Sequence, residues 1–305
     1  MAAPQQKLIT VVTATFNRAH LLVDLYDSLC RQTHLLFDWI VVDDGSTDGT
    51  SDMVKQWIRK QPPFHIQLIQ KENGGKNRAI NDAVKIVSTR YTMIVDSDDY
   101  LTDDAIAFLT DAAQEVEESE EIAGVAGLRG HDLSTPLDNP SFPKDTFVVA
   151  SNLERKQYQL EQDACEVYKT AVLASHPFQV WSTETFVPEQ VVWNQLALEG
   201  YRLRWYNRIT VIVRYQASGM TNASWELLKN NPMGYAMMFN HLLRTDPSFC
   251  SKINNTLQFI SCCFLGNHPS YIFNCNQRLL GILLLIPGWA LSIRRRVQFH
   301  SFRER

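Results

Sequence analysis

Four times in the first hundred residues a short apolar run is followed by a polar turn, and the first three are followed in turn by a segment with helical spacing. Leu8–Thr13, Phe37–Val42, His65–Gln70 and Tyr91–Val95 are rich in β-branched and aromatic residues and read as strands. Between them, His20–Arg31 places Leu21, Leu22, Leu25 and Leu29 on one helical face. A second helix starts after a Ser46 or Thr47 cap, runs through Lys60 and stops before Pro62-Pro63, and a third covers Asn77–Val87. This alternation predicts an α/β fold, a mostly parallel sheet flanked by helices. The parallel strands then end along one edge, so their polar turns meet in one crevice.

Beyond this half the pattern loosens. Thr102–Glu120 reads as a helix with an acidic, solvated end, and Ile122–Leu128 as a strand. Arg129–Asp145, with three prolines, reads as a long loop, and Phe147–Ala150 as a short strand. Cys165–Ala174 has helical spacing. In Thr183–Arg204, Pro188 suits a first helical position, and Gly200 closes that helix. Tyr201–Tyr215 reads as one or two strands, Gln216–Asn222 as a polar turn, and the chain from Trp225 onward as mostly helical. The 305 residues suit one large α/β domain over 1–222, with a nucleotide half (7–130) and an acceptor half (131–222), and a helical region over 223–305.

The turns carry the chemistry. After the fourth strand come Asp96, Ser97, Asp98 and Asp99. Three carboxylates so close repel one another and add nothing to a core. A divalent cation, Mg²⁺ or Mn²⁺, completed by substrate phosphates, would hold them together. Helix capping accounts for Asp99 or Thr102 ahead of Asp103 and Asp104, but not for Asp96 and Asp98. The second turn adds Asp43 and Asp44, and the third adds Gly74-Gly75-Lys76-Asn77-Arg78. Acid for a metal and a base, beside cations and backbone amides for phosphate, suits a nucleoside diphosphate.

Composition narrows the field. A net charge of −4 argues against a nucleic-acid partner. The six cysteines have neither CxxC nor zinc spacing and read as reduced thiols of a cytoplasmic protein; MAAPQQK lacks the apolar run of a secretory signal.

Four segments, Thr13-Ala14-Thr15-Phe16-Asn17-Arg18, Asp43 to Thr50, Asn73 to Asn81 and Asp96-Ser97-Asp98-Asp99, together resemble glycosyltransferase family 2, the GT-A group of inverting, nucleotide-sugar-dependent transferases. The resemblance is strong over residues 7–130 and weaker at Phe186-Val187-Pro188-Glu189 and Ser218-Gly219-Met220. It implies that Thr13, Thr15, Asn17 and Arg18 border the nucleoside and that Asp44 bonds the base, commonly uracil. It also implies that Lys76 and Arg78 lie near base and diphosphate, that Asp98 ligates the metal with Asp96 nearer the ribose, and that Glu189 is the catalytic base. Gln190 departs from the family pattern, in which a second acid often follows the base; Glu184 is the next candidate. The implied reaction moves a sugar from a UDP-type donor to a glycan or lipid-linked hydroxyl, in surface polysaccharide or lipopolysaccharide assembly.

Other classes fit less well. A nicotinamide dehydrogenase needs G-x-G-x-x-G where this chain has Thr-Ala-Thr-Phe-Asn-Arg. A nucleotidyltransferase would release pyrophosphate, and a degenerate scaffold would not need to keep Asp44, Asp96, Asp98 and Glu189. The tail run Leu279–Ile293 is interrupted at Pro287-Gly288 and bounded by Arg278 and by Arg294-Arg295-Arg296. As a helix it reaches roughly 22 Å at about 1.5 Å per residue, short of a bilayer core of about 30 Å. It reads as an interfacial anchor on the inner, cytoplasmic face of a membrane. The competing reading is a helix packed on the protein core.

Overall fold

A computed structural model of the chain describes residues 7–214 and 224–301. The expected turn Gln216–Asn222, Tyr215, Ser218-Gly219-Met220, Arg303 and Arg305 lie outside the described residues. Among the described residues the chain divides into two compact units. One takes residues up to Pro177 and from Gln195 to 214; the other takes Phe178–Asn194 and the helices from 224 onward. The sequence boundary at 222 had left 178–194 with the first domain.

In the first unit, β1 (Ile9–Thr15), β2 (Phe37–Asp43), β3 (His65–Gln70) and β4 (Tyr91–Ile94) run parallel in the order β3-β2-β1-β4. The chain moves outward from β1 to β3 and then returns to the other side of β1. That reversal between β1 and β4 is where open α/β sheets bind ligands. Side chains alternate across the sheet, as strand geometry requires. Ile9, Val11, Phe37, Trp39, Val41, Tyr91 and Met93 meet α1 (Ala19–Cys30), α2 (Thr50–Arg59) and α4 (Ala105–Glu115) on one face. Val12, Ile40 and Val42 meet Ala79 and Ala83 of α3 (Lys76–Val84) on the other. The expected helices on both faces are present.

The sheet is more mixed than the sequence suggested. Among the described residues it has nine strands, with β5 (Tyr100–Leu101), β6 (Ile122–Gly130), β7 (Phe147–Ala150), β8 (Ala164–Lys169) and β9 (Arg202–Ile212) added to the first four. Residues 165–169 of the expected helix Cys165–Ala174 are β8, which lies antiparallel between β4 and β6; only α5 (Thr170–Ser175) is helical. Non-local pairing overrides the local spacing there. Two glycines of β6 make room for its neighbours: a Cβ on Gly124 would lie 2.0 Å from the Val167 carbonyl oxygen of β8, and one on Gly127 2.3 Å from the Thr210 hydroxyl of β9.

The second unit contains α7 (Ser224–Asn230), α8 (Pro232–Thr245), α9 (Phe249–Leu265), α10 (Arg278–Leu283) and α11 (Leu285–Ser301). Its core gathers Met233, Leu243, Phe259, Ile260 and Cys263. Helix α6 (Gln190–Leu198) spans the division of the two units. It begins after Glu189, two residues later than Pro188 suggested, and the Glu189 carbonyl accepts from the Val192 and Trp193 amides. In the tail the helix breaks at Leu284, not at Pro287-Gly288. Pro287 sits in the first turn of α11, where its missing N–H leaves no bond unmade. Among the described residues no helix is long and apolar enough to cross a membrane.

Candidate active site at the strand ends

The turns after β1, β2, β3 and β4 converge, held by bonds between loops. Asn17 is in the left-handed region at φ 53°. Its amide donates to the Ser46 hydroxyl at 2.8 Å, and its side-chain oxygen accepts from the Thr47 amide at 2.8 Å. Asp48 accepts from the Ala19 amide at 2.9 Å and the Thr50 amide at 3.0 Å. Burial acts to raise the pKa of Asp48, but bonds from Thr50 and Ala19 outweigh it, so the carboxyl titrates below its ordinary value. Asp48 thus serves the start of α2, and Ser46, expected as a cap, faces Asn17 instead.

Asp44 is buried, and its two oxygens accept from the Gly74 amide at 2.9 Å and the Gly75 amide at 2.7 Å, with Lys71 at 3.1 Å. Gly75, at φ 93°, turns the chain into α3. A side chain on Gly45, at φ 88°, would push within 2.9 Å of the Asn73 amide nitrogen. These two glycines let the second and third turns lie against each other. Thr13, on the core face of β1, accepts from the Trp39 indole at 3.1 Å. Thr15, at the end of β1, has a buried hydroxyl with no hydrogen-bond partner among the described residues.

The acidic turn sits among cations. Asp96 pairs with Lys76 at 2.5 Å and Arg129 at 3.5 Å, Asp98 with Arg18 at 2.9 Å, and Asp99 with Arg129 at 3.0 Å. Arg78 donates to the Gly74 carbonyl at 2.6 Å. Burial acts to raise the Asp96 pKa, yet Lys76 and then Arg129 hold it well below the usual carboxylate range. Asp99 goes the other way, pushed up to about 7 by burial and by its neighbours Asp96 and Asp98, against the pull of Arg129. Asp98 and Asp96 keep 18% and 25% of their side-chain surface, and Arg18 keeps 26%, so a ligand can reach them. Arg129, which the sequence places at the start of a loop, is the penultimate residue of β6, and its Nε donates to the Ala164 carbonyl at 3.1 Å.

Among the described residues no three His, Cys, Asp or Glu side chains are grouped to hold a metal by themselves. Asp96 and Asp98 are nonetheless the hard oxygen donors that Mg²⁺ and Mn²⁺ take, one or two at a time, when phosphate oxygens complete the shell. The residues therefore fit a cation shared with a nucleotide.

Glu189 belongs to the second unit, on a segment that is firmly held. Glu184 is buried, and its carboxylate accepts from the Met233 amide at 2.8 Å and the Gly234 amide at 2.7 Å at the start of α8. The Asn231 side-chain oxygen accepts from the Thr185 and Phe186 amides, each at 3.0 Å. Gly234 lies so close to this segment that a Cβ there would fall 2.0 Å from the Phe186 carbonyl oxygen. Glu184, the second candidate base, thus has both oxygens committed to a helix terminus. Sequence reading missed Asn231; an Asn before a helix-opening Pro was its one local signal.

A mostly parallel strand edge bearing paired aspartates, lysine and arginines defines a nucleotide-binding α/β domain. The chain belongs to glycosyltransferase family 2: the model for Glycosyl transferase family 2 matches residues 10–170, just over half of its 305 residues. It is 31% identical over 147 residues to a poly(ribitol-phosphate) beta-glucosyltransferase of Bacillus spizizenii, an alignment covering 48% of this chain and 23% of that protein. It is 27% identical over 169 residues to the poly(ribitol-phosphate) beta-N-acetylglucosaminyltransferase TarS of Staphylococcus aureus, covering 54% and 28%. The chain thus spans about a quarter of the length of these relatives. Among solved structures, S. aureus TarS 1-349 in complex with UDP-GlcNAc has a TM-score of 0.58 at 19% identity, covering 94% of this chain and 81% of that one. The mannosyltransferase PcManGT from Pyrobaculum calidifontis, in complex with GDP-Man and Mn²⁺, has a TM-score of 0.56 at 17% identity, covering 97% and 84%. At these identities the likeness speaks for the fold, the GT-A arrangement.

Proposed function

We propose that the chain is an inverting glycosyltransferase. It moves a sugar from a nucleotide diphosphate-sugar, a UDP-sugar, to a hydroxyl of a glycan or lipid-linked acceptor in surface polysaccharide assembly at the cytoplasmic face of a membrane. The observation that carries this reading is the gathering of Arg18, Lys76, Asp96, Asp98 and Arg129 at one strand edge. The relatives named for poly(ribitol-phosphate) glycosyl transfer, and a neighbour holding UDP-GlcNAc, support the reaction class and the donor.

Breaking the bond between the anomeric carbon and a diphosphate requires that the departing charge be stabilised. Lys76, Arg18 and Arg78 supply positive charge for this once they turn from their present partners to phosphate. Asp98 and Asp96 would hold a divalent cation, which when bound adds Lewis-acid stabilisation of the leaving diphosphate. Thr15 and Asn17 border the nucleoside, with Thr13 bracing the strand end behind them. Asp44 holds the Gly74-Gly75 turn and meets the base from there. Glu189 takes the proton of the attacking hydroxyl, which gives single displacement with inversion.

The test is a screen of UDP- and GDP-sugars for turnover, with and without chelator, in the wild type and in Asp98→Ala. Release of nucleoside diphosphate that requires both Asp98 and a divalent cation supports the proposal. Release of pyrophosphate from a nucleoside triphosphate would make the chain a nucleotidyltransferase.

A further inference from the structure

The tail helices present their bulky apolar side outward. The inward side of α10 and α11 carries Gly281, Gly288, Ser292 and Arg295, all buried. A Cβ on Gly288 would lie 2.6 Å from Ile260 of α9, so α11 packs on α9 through small residues. Arg295 completes this inner side by donating to Gln258 and to the Ser261 hydroxyl at 3.5 Å. Arg296 donates to the Phe264 carbonyl at 2.7 Å and to Asn267 at 3.2 Å. The competing sequence reading, a packed core helix, thus holds for one side only. On the other side Leu279, Ile282, Leu283 and Ile286 are 73–79% exposed, followed by Trp289 at 47% and Ile293 at 44%. Spacing of three to four residues puts Leu279, Ile282 and Leu283 on one side of α10, and Ile286, Trp289 and Ile293 on one side of α11.

An exposed ridge of this kind marks an interaction surface, and its charge selects the partner. Between Asp246 and Glu304 the sequence contains no acidic residue, while Lys252, Arg278 and Arg294 to Arg296 fall inside that span. A protein partner would ordinarily meet a rim of mixed charge. Exposed Glu226 stands near the far end of α11, next to the Trp225 ring that packs on Phe299, while Arg278 and Arg294 are the exposed charges flanking the apolar residues themselves. Basic flanks on an apolar ridge with an interfacial tryptophan suit a layer of anionic headgroups over acyl chains. We propose that this ridge is a membrane-docking face. It lies side-on in the interface of an anionic bilayer, with Arg278 and Arg294 at the headgroups and Arg295 and Arg296 fixing α11 to α9. The transferase reading supplies a reason to be at a membrane, and sedimentation run without donor succeeds or fails independently of it.

The test uses the full chain with vesicles of phosphatidylcholine alone and of phosphatidylcholine with phosphatidylglycerol, at low and high salt. The wild type is expected to sediment with the phosphatidylglycerol vesicles at low salt and to be released by high salt. Ile282→Ser with Ile286→Ser should abolish sedimentation while the melting temperature stays at the wild-type value, because both side chains already face water. Arg278→Gln with Arg294→Gln should weaken partitioning by about 30-fold, at about fivefold per basic residue near an anionic surface. The proposal is overturned if the wild type stays in the supernatant with phosphatidylglycerol at low salt, or if it binds both vesicles equally. It is also overturned if light scattering shows a wild-type dimer that the Ile282/Ile286 variant converts to monomer, since the ridge would then belong to a second copy.

Discussion

Removing the Glu184 carboxylate should loosen the segment that leads to Glu189. Its two oxygens take the Met233 and Gly234 amides at 2.8 and 2.7 Å, two of the amides that a helix N-terminus leaves without internal partners. A hydrogen bond to a charged group contributes about 1.5–3 kcal/mol, so Glu184→Ala, which loses both, should cost about 3–6 kcal/mol. At about 2–4 °C per kcal/mol the melting temperature should fall by roughly 6–24 °C. Glu184→Gln keeps one acceptor and turns an amide donor toward the other N–H, so it should fall between the alanine variant and the wild type. The titration adds a second readout. Burial raises the Glu184 pKa, and the Met233 and Gly234 amides only partly offset it. A carboxyl with a raised folded value contributes stability that is complete below the unfolded value of about 4.3. That contribution is lost as pH rises through the folded value. The Glu184 contribution therefore slopes down through this window, and it is read as the difference in melting temperature between the wild type and Glu184→Gln across the pH series. His241, whose pKa burial lowers, adds a slope of opposite sign, but it is common to both proteins and drops out of the difference. A Glu184→Ala melting temperature within about 2 °C of the wild type would refute the capping argument. So would an unchanged difference between the wild type and Glu184→Gln across the pH series.

Three further outcomes follow from the proposed site. Glu189→Gln should keep donor binding, measured by calorimetry, and lower transfer by on the order of 10²-fold or more; normal turnover would place the base elsewhere. Asp98→Ala should lose transfer while melting near the wild type, because the side chain is part-exposed and its partner Arg18 can face water; full activity in chelator would remove the cation from the mechanism. Gly234→Ala should lower the melting temperature by several degrees, since its Cβ would fall 2.0 Å from the Phe186 carbonyl oxygen, and a melt equal to the wild type would show that the helix start can shift at little cost.

The parts legible in the sequence were those whose cause is local. The strands β1 to β4 declare themselves by short β-branched runs, and their aspartates stand out because a core has no use for them. What sequence reading missed has its cause elsewhere in the chain. Strand β8 is a strand because β4 and β6 lie on either side of it. Arg129 gains its meaning from Asp96 and Asp99, some thirty residues earlier. One signal was available: Arg129 follows the run Ile122–Leu128, as Asp96 follows Tyr91–Val95, and a charge at the end of a buried strand calls for the same question.

Arg294, Arg295 and Arg296 show how a sequence pattern can be seen correctly and placed wrongly. Read as a block, they form one basic patch beside an apolar run. A helix turns by about 100° per residue, so three consecutive side chains cannot share a side. Arg295 goes inward to Gln258 and Ser261, and Arg296 reaches across to Phe264 and Asn267. Arg294 stays exposed beside the ridge. The same rotation sorts the other residues of α11, with Gly288 against Ile260 of α9 and Ser292 buried, while Ile286 and Ile293 stay exposed; in α10, Gly281 faces Cys275 and Ile282 is exposed. An anchor and a packed helix are therefore two sides of one element, and the small residues on the inner side keep the large ones outside.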